Sequence, residues 1–456
     1  MAGSATAGSG TAGPQTVRSE TAPRDSVRTG NVPPGYDYHA ALRVLASLFF
    51  IWGFITVINN TLLPHLKSVF ELNYMQTTLI ESVWFIAYFV ASLPSAWLIE
   101  RVGYRKSLVL GLATMAAGAL GMIVASSVPS YGITLVALFV IASGITLLQV
   151  AANPYVAVVG PVETASSRLN LVQAFNSLGT TLAPLFGGYL ILGRAASGNA
   201  RPGVALSAAQ RLADAEAVRL PYLIVAGVLV VLAVIIARAR LPDIAAQTRR
   251  VSAERRRAHS LFRHRNLVLG VPAIFIYLIA EIGVANLFIN FVSQPEIADL
   301  SHSAASNYLF LLWGGMMVGR FAGSAVMRSI PAARVLSAAA IGAFVMMLIA
   351  SLVPGYAAMV ALILVGLFHS IMFPTIFTLG IRGLGPLTEE GSGLLIMAIA
   401  GGALVVVQGW LADRYGLQRS FLLTAACELY VLFYGLWGST PAVSGAEQVI
   451  DERLDS

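Results

Sequence analysis

The chain has 456 residues, of which 57% are hydrophobic and only 11% are charged, whereas soluble domains carry about 25% charged residues. This composition excludes an ordinary soluble protein and predicts an all-α membrane protein. The formal net charge of +7 does not indicate a nucleic-acid partner, because the excess arginines lie in connections between apolar runs. A single cysteine, Cys427, excludes an internal disulfide framework and a multi-cysteine metal site, and we expect no metal and no cofactor.

The two ends of the chain are polar. Residues 1–40 are rich in Ala, Gly, Ser, Thr and Pro, and they lack the apolar core of a signal peptide. This composition predicts a disordered cytoplasmic tail. Residues 439–456 are predicted to form a second, short cytoplasmic tail.

Between the tails, twelve apolar runs are each long enough to cross a hydrocarbon layer of about 30 Å as a helix. They cover residues 41–63, 78–99, 106–126, 131–157, 168–193, 217–240, 265–293, 304–328, 333–352, 356–382, 388–414 and 418–438. A long basic connection, residues 241–264, separates the sixth run from the seventh. We therefore expect two six-helix halves, residues 41–240 and 265–438.

The distribution of basic residues predicts the orientation. With a cytoplasmic amino terminus, the connection at 241–264 and the loop after the second run both lie inside, as the positive-inside rule requires. Arg201, Arg414 and Arg419 then lie outside, which weakens the bias without reversing it.

The loop after the second run combines a glycine turn with charges of both signs: Glu100, Arg101, Gly103, Arg105 and Lys106. Such a loop can be a simple topology anchor or part of a gate between helix ends. A loosely similar segment, residues 319–334, stands at the equivalent place in the second half. Two six-helix halves with paired loops of this kind resemble the major facilitator superfamily, whose halves rock around a midplane site.

Side-chain amides recur inside the apolar runs. Such groups serve either as hydrogen-bonded contacts between helices or as the lining of a wet cavity. Because the amides come from both halves, we favour a cavity for a hydroxyl-rich solute, whose hydroxyls match the donors and acceptor of an amide. The predicted site residues are Asn59, Asn60, Gln149, Asn153, Gln173, Asn176 and Asn286, with His369 as a further candidate.

Several long motifs occur in one order, among them "NNTLLPHLK", "QVAANPYVAVVGP", "SRLNLVQAFNSLGT", "GRFAGS" and "FPTIFTLGIRGLG". Over residues 40–440 they resemble the fucose/glucose/galactose–proton symporter family, and in particular its glucose/galactose members. The resemblance implies the twelve-helix facilitator fold and proton-driven import of a monosaccharide across the bacterial inner membrane. One chain contains both halves, so a monomer would suffice.

The chain departs from this family at one point. In many relatives the second amide of the first run is an aspartate, and the fucose branch has glutamate at the position of Gln149; both acids are tied to proton coupling there. Asn60 cannot carry a proton, because an amide does not titrate. Glu281 in the seventh run and Glu81 in the second are the replacement candidates, and coupling to sodium remains conceivable.

Other functions stay open at this point. Without a titrating group the protein would be an uncoupled hexose facilitator. Efflux of a drug or metabolite and sugar sensing without net transport are further alternatives. Enzyme activity has no support, because no phosphate loop, catalytic triad or metal-ligand spacing stands out.

Overall fold

The computed structural model describes residues 38–70, 74–127, 130–187, 219–239 and 261–441. Almost all of both predicted tails and most of the basic connection lie outside these ranges. The side chains of Asn59, Asn60 and Glu81 also lie outside the described part, although all three residues belong to described helices.

The described residues of the first half form six helices. They are α1 (Tyr38–Phe70), α2 (Tyr74–Val102), α3 (Tyr104–Ser127), α4 (Tyr131–Val158), α5 (Ala165–Gly187) and α6 (Arg219–Arg238). Each overlaps one predicted run, with ends that differ by several residues; α1, for example, begins at Tyr38 and continues to Phe70. The predicted run 168–193 ends beyond the described part of α5, and the run 217–240 extends beyond both ends of the described α6.

The second half again contains six. They are α7 (Arg265–Val292), α8 (His302–Val326), α9 (Ala332–Leu352), α10 in two pieces (Tyr356–His369 and Met372–Gly380), α11 and α12 (Leu417–Phe433, then a π-helical turn Tyr434–Gly438). Helix α11 has three pieces, Thr388–Met397, a 3-10 segment Ala398–Leu404, and Val405–Tyr415. The apolar runs did not reveal these interruptions of α10 and α11.

Eleven of the helices in the described ranges are long and apolar enough to cross a membrane. Helix α5 is not among them. It carries Arg168 and three amides, Asn170, Gln173 and Asn176, on an otherwise apolar segment, and two of these amides are predicted site residues.

Helices within the first half approach closely where glycines face a neighbouring backbone. A methyl group at Gly53 of α1 would collide with the carbonyl of Asn176, and one at Gly179 of α5 would collide with the carbonyl of Phe50. These two glycines let α1 and α5 pack backbone to backbone, as small residues do in membrane bundles.

The halves meet where α2 packs against α11 and where α5 packs against α8 and α10. We call the end of the bundle at which α6 ends and α7 begins the linker end. Because successive helices run antiparallel, the connections α2–α3, α4–α5, α8–α9 and α10–α11 lie at this same end.

Candidate functional site

Three buried amides of the first half lie together and form what we call the amide cluster: Gln149 and Asn153 of α4 and Gln173 of α5. Gln173 Nε2 donates to Asn153 Oδ1 at 3.5 Å, and Gln149 Nε2 donates to the hydroxyl of Tyr88 on α2. Asn153 is fully buried, yet its Nδ2 finds no partner among the described residues. An unused buried donor costs about 1–3 kcal/mol, so this amide is suited to a polar ligand.

Two further amides of α5 hold helices together. Asn176 Nδ2 donates to the carbonyl of Phe49 on α1 at 2.9 Å. Asn170 Nδ2 donates to Ser166 O at 2.9 Å and to Thr375 Oγ1 of α10 at 3.2 Å. The structure therefore contains both kinds of amide, and Asn176 uses its donor group between helices.

The interruption of α10 exposes two backbone carbonyls to side-chain donors. Pro374 has no N–H, so the carbonyl of Ser370, four residues earlier, cannot accept an ordinary helical bond. Arg320 Nε of α8 donates to this carbonyl at 3.1 Å. The Tyr277 hydroxyl of α7 donates to the preceding carbonyl, that of His369, at 2.9 Å.

Four ionisable residues of the second half lie close to these carbonyls, and we call them the charged cluster: Glu281, Arg320, His369 and Glu428. His369 Nε2 lies 2.8 Å from Glu428 Oε1, with side-chain exposures of 2% and 0%. Glu281, one helical turn after Tyr277, experiences the charges of Arg320, His369 and Glu428.

Arg320 also joins the two halves. Its Nη1 donates to Ser177 Oγ and, at 3.3 Å, to the carbonyl of Gln173, both on α5. Hydrogen bonds from a guanidinium are stronger than neutral ones. The same side chain thus touches the backbone of an amide-cluster residue and the interrupted helix that carries His369.

Nearer the linker end, hydroxyl groups of the two halves bind one another in what we call the serine interlock. Ser167 Oγ of α5 donates to Ser324 O of α8 at 2.7 Å, and Ser324 Oγ donates to Ser167 O at 2.9 Å. Ser166 Oγ lies 2.6 Å from Thr378 Oγ1 of α10. These bonds close the linker end.

The α2–α3 turn and the start of α11 close the linker end on the other side of the bundle. The Tyr104 hydroxyl donates to Glu389 Oε1 at 3.1 Å. Ser392 Oγ donates to the carbonyl of Val150 at 3.0 Å. Pro154, four residues after Val150, cannot donate to that carbonyl, so a proline frees an acceptor for a contact between halves, as Pro374 does for Arg320.

The predicted gate loop lies at the linker end. Gly103 has φ of 85°, a left-handed conformation that favours glycine, and it forms the tight α2–α3 turn. Arg105 and Lys106 are exposed, and the Arg101 guanidinium stacks 3.6 Å over the ring of Trp97. One hydrogen bond between the halves comes from Tyr104, a neighbour of these residues that the sequence did not single out.

The structure also locates three other predicted features, one segment and two side chains. In the segment 319–334 only residues 327–331 form a loop, because "GRFAGS" lies inside α8 and α9 begins at Ala332. Asn286 is exposed and lies five residues after Glu281, about 140° around α7. His369 faces Glu428 of α12, which is not among the residues predicted from the sequence.

Comparison with known proteins defines the class. The family model described as Major Facilitator Superfamily matches residues 44–394. The chain belongs to the major facilitator superfamily and is a multi-pass membrane protein of a transporter family rather than an enzyme. The predicted all-α, twelve-helix facilitator fold is confirmed.

Particular relatives narrow the position within the superfamily. The chain is 46% identical over 404 residues to the glucose/galactose transporter of Brucella abortus, covering 88% of this chain and 95% of that protein. It is 40% identical over 404 residues to a putative glucose/galactose transporter of Helicobacter pylori, covering 87% and 96%. The resemblance to the glucose/galactose branch is therefore confirmed.

Solved structures of one further relative agree with the fold. The Escherichia coli fucose:proton symporter, FucP, is 31% identical, with a TM-score of 0.80 over 89% of this chain and all of that chain. A second structure of FucP, in the outward conformation, gives a TM-score of 0.81 at 30% identity over 88% of this chain and 99% of that chain.

Proposed function

We propose that this protein carries a monosaccharide, glucose or galactose, into the cell by alternating access and that the transport is coupled to protons. The observation that carries the proposal is the buried amide cluster, which contains an unused donor and contacts Arg320 of the opposite half. The similarity to two glucose/galactose transporters supports the choice of substrate.

The amide cluster supplies the chemistry that a sugar needs. Gln149, Asn153 and Gln173 offer donors and acceptors close together, and sugar hydroxyls are both donors and acceptors. Asn59 and Asn60 of α1 belong to the proposed set through the family resemblance. Asn176 and Asn286 remain candidates at its edge, whereas His369 acts through Glu428 rather than on the sugar.

The closed linker end supports an outward-facing state of the transport cycle. We take this end as cytoplasmic, because the basic connection joins α6 to α7 there. The described conformation is then outward-facing, and its similarity to FucP in the outward conformation supports that assignment. We propose the bacterial inner membrane as the location, with both termini cytoplasmic and a monomer as the working unit.

Coupling requires a group that binds a proton, and Asn60 cannot. Glu281 is the candidate with structural support, since it is partly exposed and experiences the charge of Arg320; Glu81 remains a sequence candidate. A proton moving through 100 mV provides about 2.3 kcal/mol, enough to concentrate a neutral sugar about 50-fold. The amide at position 60 favours one alternative, an uncoupled facilitator.

The test is uptake of radiolabelled galactose and glucose into proteoliposomes with and without an imposed inward proton gradient. The proposal predicts accumulation that the gradient drives and an ionophore abolishes. Glu281→Gln should reduce uptake to equilibration, and protein-free liposomes give the baseline. Equilibration that ignores the gradient would establish the facilitator instead, and absence of flux for both sugars would refute sugar transport.

A further inference from the structure

The charged cluster has an unbalanced charge count. Around it, each packed helix contributes its titratable groups: Tyr277 and Glu281 from α7, Arg320 from α8, His369 from α10, and Cys427 and Glu428 from α12. The arginine is always positive, and the tyrosine and thiol are neutral. With both carboxyls ionised and His369 neutral, these described groups sum to one negative charge.

Such a charge is costly at this place. Glu428 is 0% exposed, and although its Oε1 contacts His369, its Oε2 has no hydrogen-bond partner in the described part of the chain. An ionised carboxylate with half of its acceptor sites unused pays a desolvation cost that one hydrogen bond does not recover. One bound proton, on Glu281, His369 or Glu428, brings the cluster to neutrality.

We infer that the charged cluster binds the coupling proton as a unit, and that Glu428 and His369 are as necessary to this site as Glu281. The inference rests on the proposed function, because only a proton-coupled carrier uses such a site. The step needs no other reactant: one proton enters an O–H or N–H bond from water on one side of the membrane and returns to water on the other.

The geometry connects the two ends of this cluster. Tyr277 donates to the carbonyl of His369 and lies one turn before Glu281 on α7. Arg320 donates to the carbonyl of Ser370, the next residue after His369. A proton held by the histidine–glutamate pair therefore acts on the same backbone segment and the same arginine as a proton held by Glu281.

The proton also acts on the contact between halves. When it leaves, the extra negative charge attracts Arg320 toward the carboxylates. That attraction competes with the bonds from Arg320 to Ser177 Oγ and to the carbonyl of Gln173 on α5. Proton release thereby weakens one bridge between the halves beside the amide cluster.

The charge count makes a specific prediction for neutral amides. Glu428→Gln removes one negative charge and retains a hydrogen-bonding group for His369, so the cluster is neutral without a proton. Glu281→Gln has the same effect on the count. Each single substitution should therefore abolish proton coupling. If Glu281 alone held the proton, only Glu281→Gln would abolish coupling and Glu428→Gln would keep it.

The experiment compares galactose counterflow with gradient-driven accumulation in proteoliposomes containing the full chain. Counterflow needs the sugar site and rocking but no net proton movement. We expect wild-type protein and Glu296→Gln, a control at an exposed glutamate between α7 and α8, to show both. Glu428→Gln should keep counterflow and lose the gradient-driven gain, from about 50-fold to none.

Different outcomes refute different claims. Absence of counterflow in the wild type refutes the proposed function. If the wild type shows counterflow and Glu428→Gln still accumulates galactose fully with the gradient, the inference is overturned and Glu281 is the whole proton site.

A second measurement covers the case in which Glu428→Gln does not fold. In protein with 15N-labelled histidine, the signal of His369, identified by its loss in His369→Gln, should shift with the same pH midpoint as uptake. A His369 signal that does not change while uptake does would overturn the inference.

Discussion

The serine interlock predicts a measurable shift between closed and open linker ends. Ser167 and Ser324 exchange two hydrogen bonds, each hydroxyl donating to the other residue's carbonyl. The two hydroxyl oxygens are also 3.3 Å apart, but each hydroxyl has one hydrogen, so this contact adds no third full bond. At about 1 kcal/mol for each bond, Ser167→Ala with Ser324→Ala should shift the ratio of closed to open states by about 30-fold.

The assay is a distance distribution between spin labels at Lys106→Cys and Arg328→Cys, one in each half and both exposed at the linker end. The native Cys427 is buried and can remain. With intact serines we expect mainly the short distance of a closed linker end. In the double alanine variant a longer distance should gain population.

A matched control is Ser351→Ala of α9, a buried serine that donates only within its own helix, to Met347 O. This substitution should leave the distribution unchanged. If the double variant and the control both keep the short distance, the interlock does not hold the halves together and the reasoning fails.

Three further predictions concern other contacts. Gln149→Leu should weaken galactose binding by about 5- to 30-fold in an equilibrium binding assay, since it removes one or two hydrogen bonds of about 1 kcal/mol each; unchanged affinity would remove Gln149 from the site. Gly179→Ala should sharply lower the yield of folded protein in size-exclusion chromatography, because the methyl group meets the α1 backbone, whereas Gly227→Ala, with open space around it, should behave as wild type. Ser392→Ala should lower thermal stability, because it leaves the buried carbonyl of Val150 without a partner, at a cost of about 1–3 kcal/mol. Pro154→Ala gives that carbonyl a helical N–H donor, so the double variant should lose less stability than the two single losses added together. Additive losses would contradict the role given to the proline.

Much of the fold could be predicted because a helix in lipid must be apolar over a fixed length. The runs gave all six helices of each half, and basic residues marked the linker end. The interruption of α10 could not be placed. Pro374 is visible in the sequence, but the helix breaks before it at a point where Arg320 and Tyr277 supply the missing donors, and nothing local identifies those partners.

The candidate site was predictable only in part. Gln149, Asn153 and Gln173 were all predicted site residues, and a spacing of four residues puts the first two on one face of α4. The structure places Gln173 beside Asn153. The sequence could not indicate that His369 pairs with Glu428, because the two residues are 59 positions apart on different helices. The direction that α12 presents depends on how it packs against its neighbours. Its polar residues Ser420, Thr424 and Glu428 recur every four residues along one face, but this pattern does not identify the helix that the face meets.

Arg320 shows a different limitation. Residues 319–334 were matched to the gate loop at the membrane surface, where most arginines lie, although Arg320 also falls within the predicted run 304–328. The structure places it inside α8, where three oxygen acceptors from α5 and α10 satisfy it. Only the assembled bundle brings those acceptors together.

The most direct test of the account is galactose counterflow by the purified full chain in proteoliposomes loaded with unlabelled galactose. We predict that labelled galactose transiently accumulates above the protein-free control and that excess external glucose competes with it. Proteoliposomes with correctly folded protein that show no counterflow of either sugar would contradict the assignment of the amide cluster to a monosaccharide.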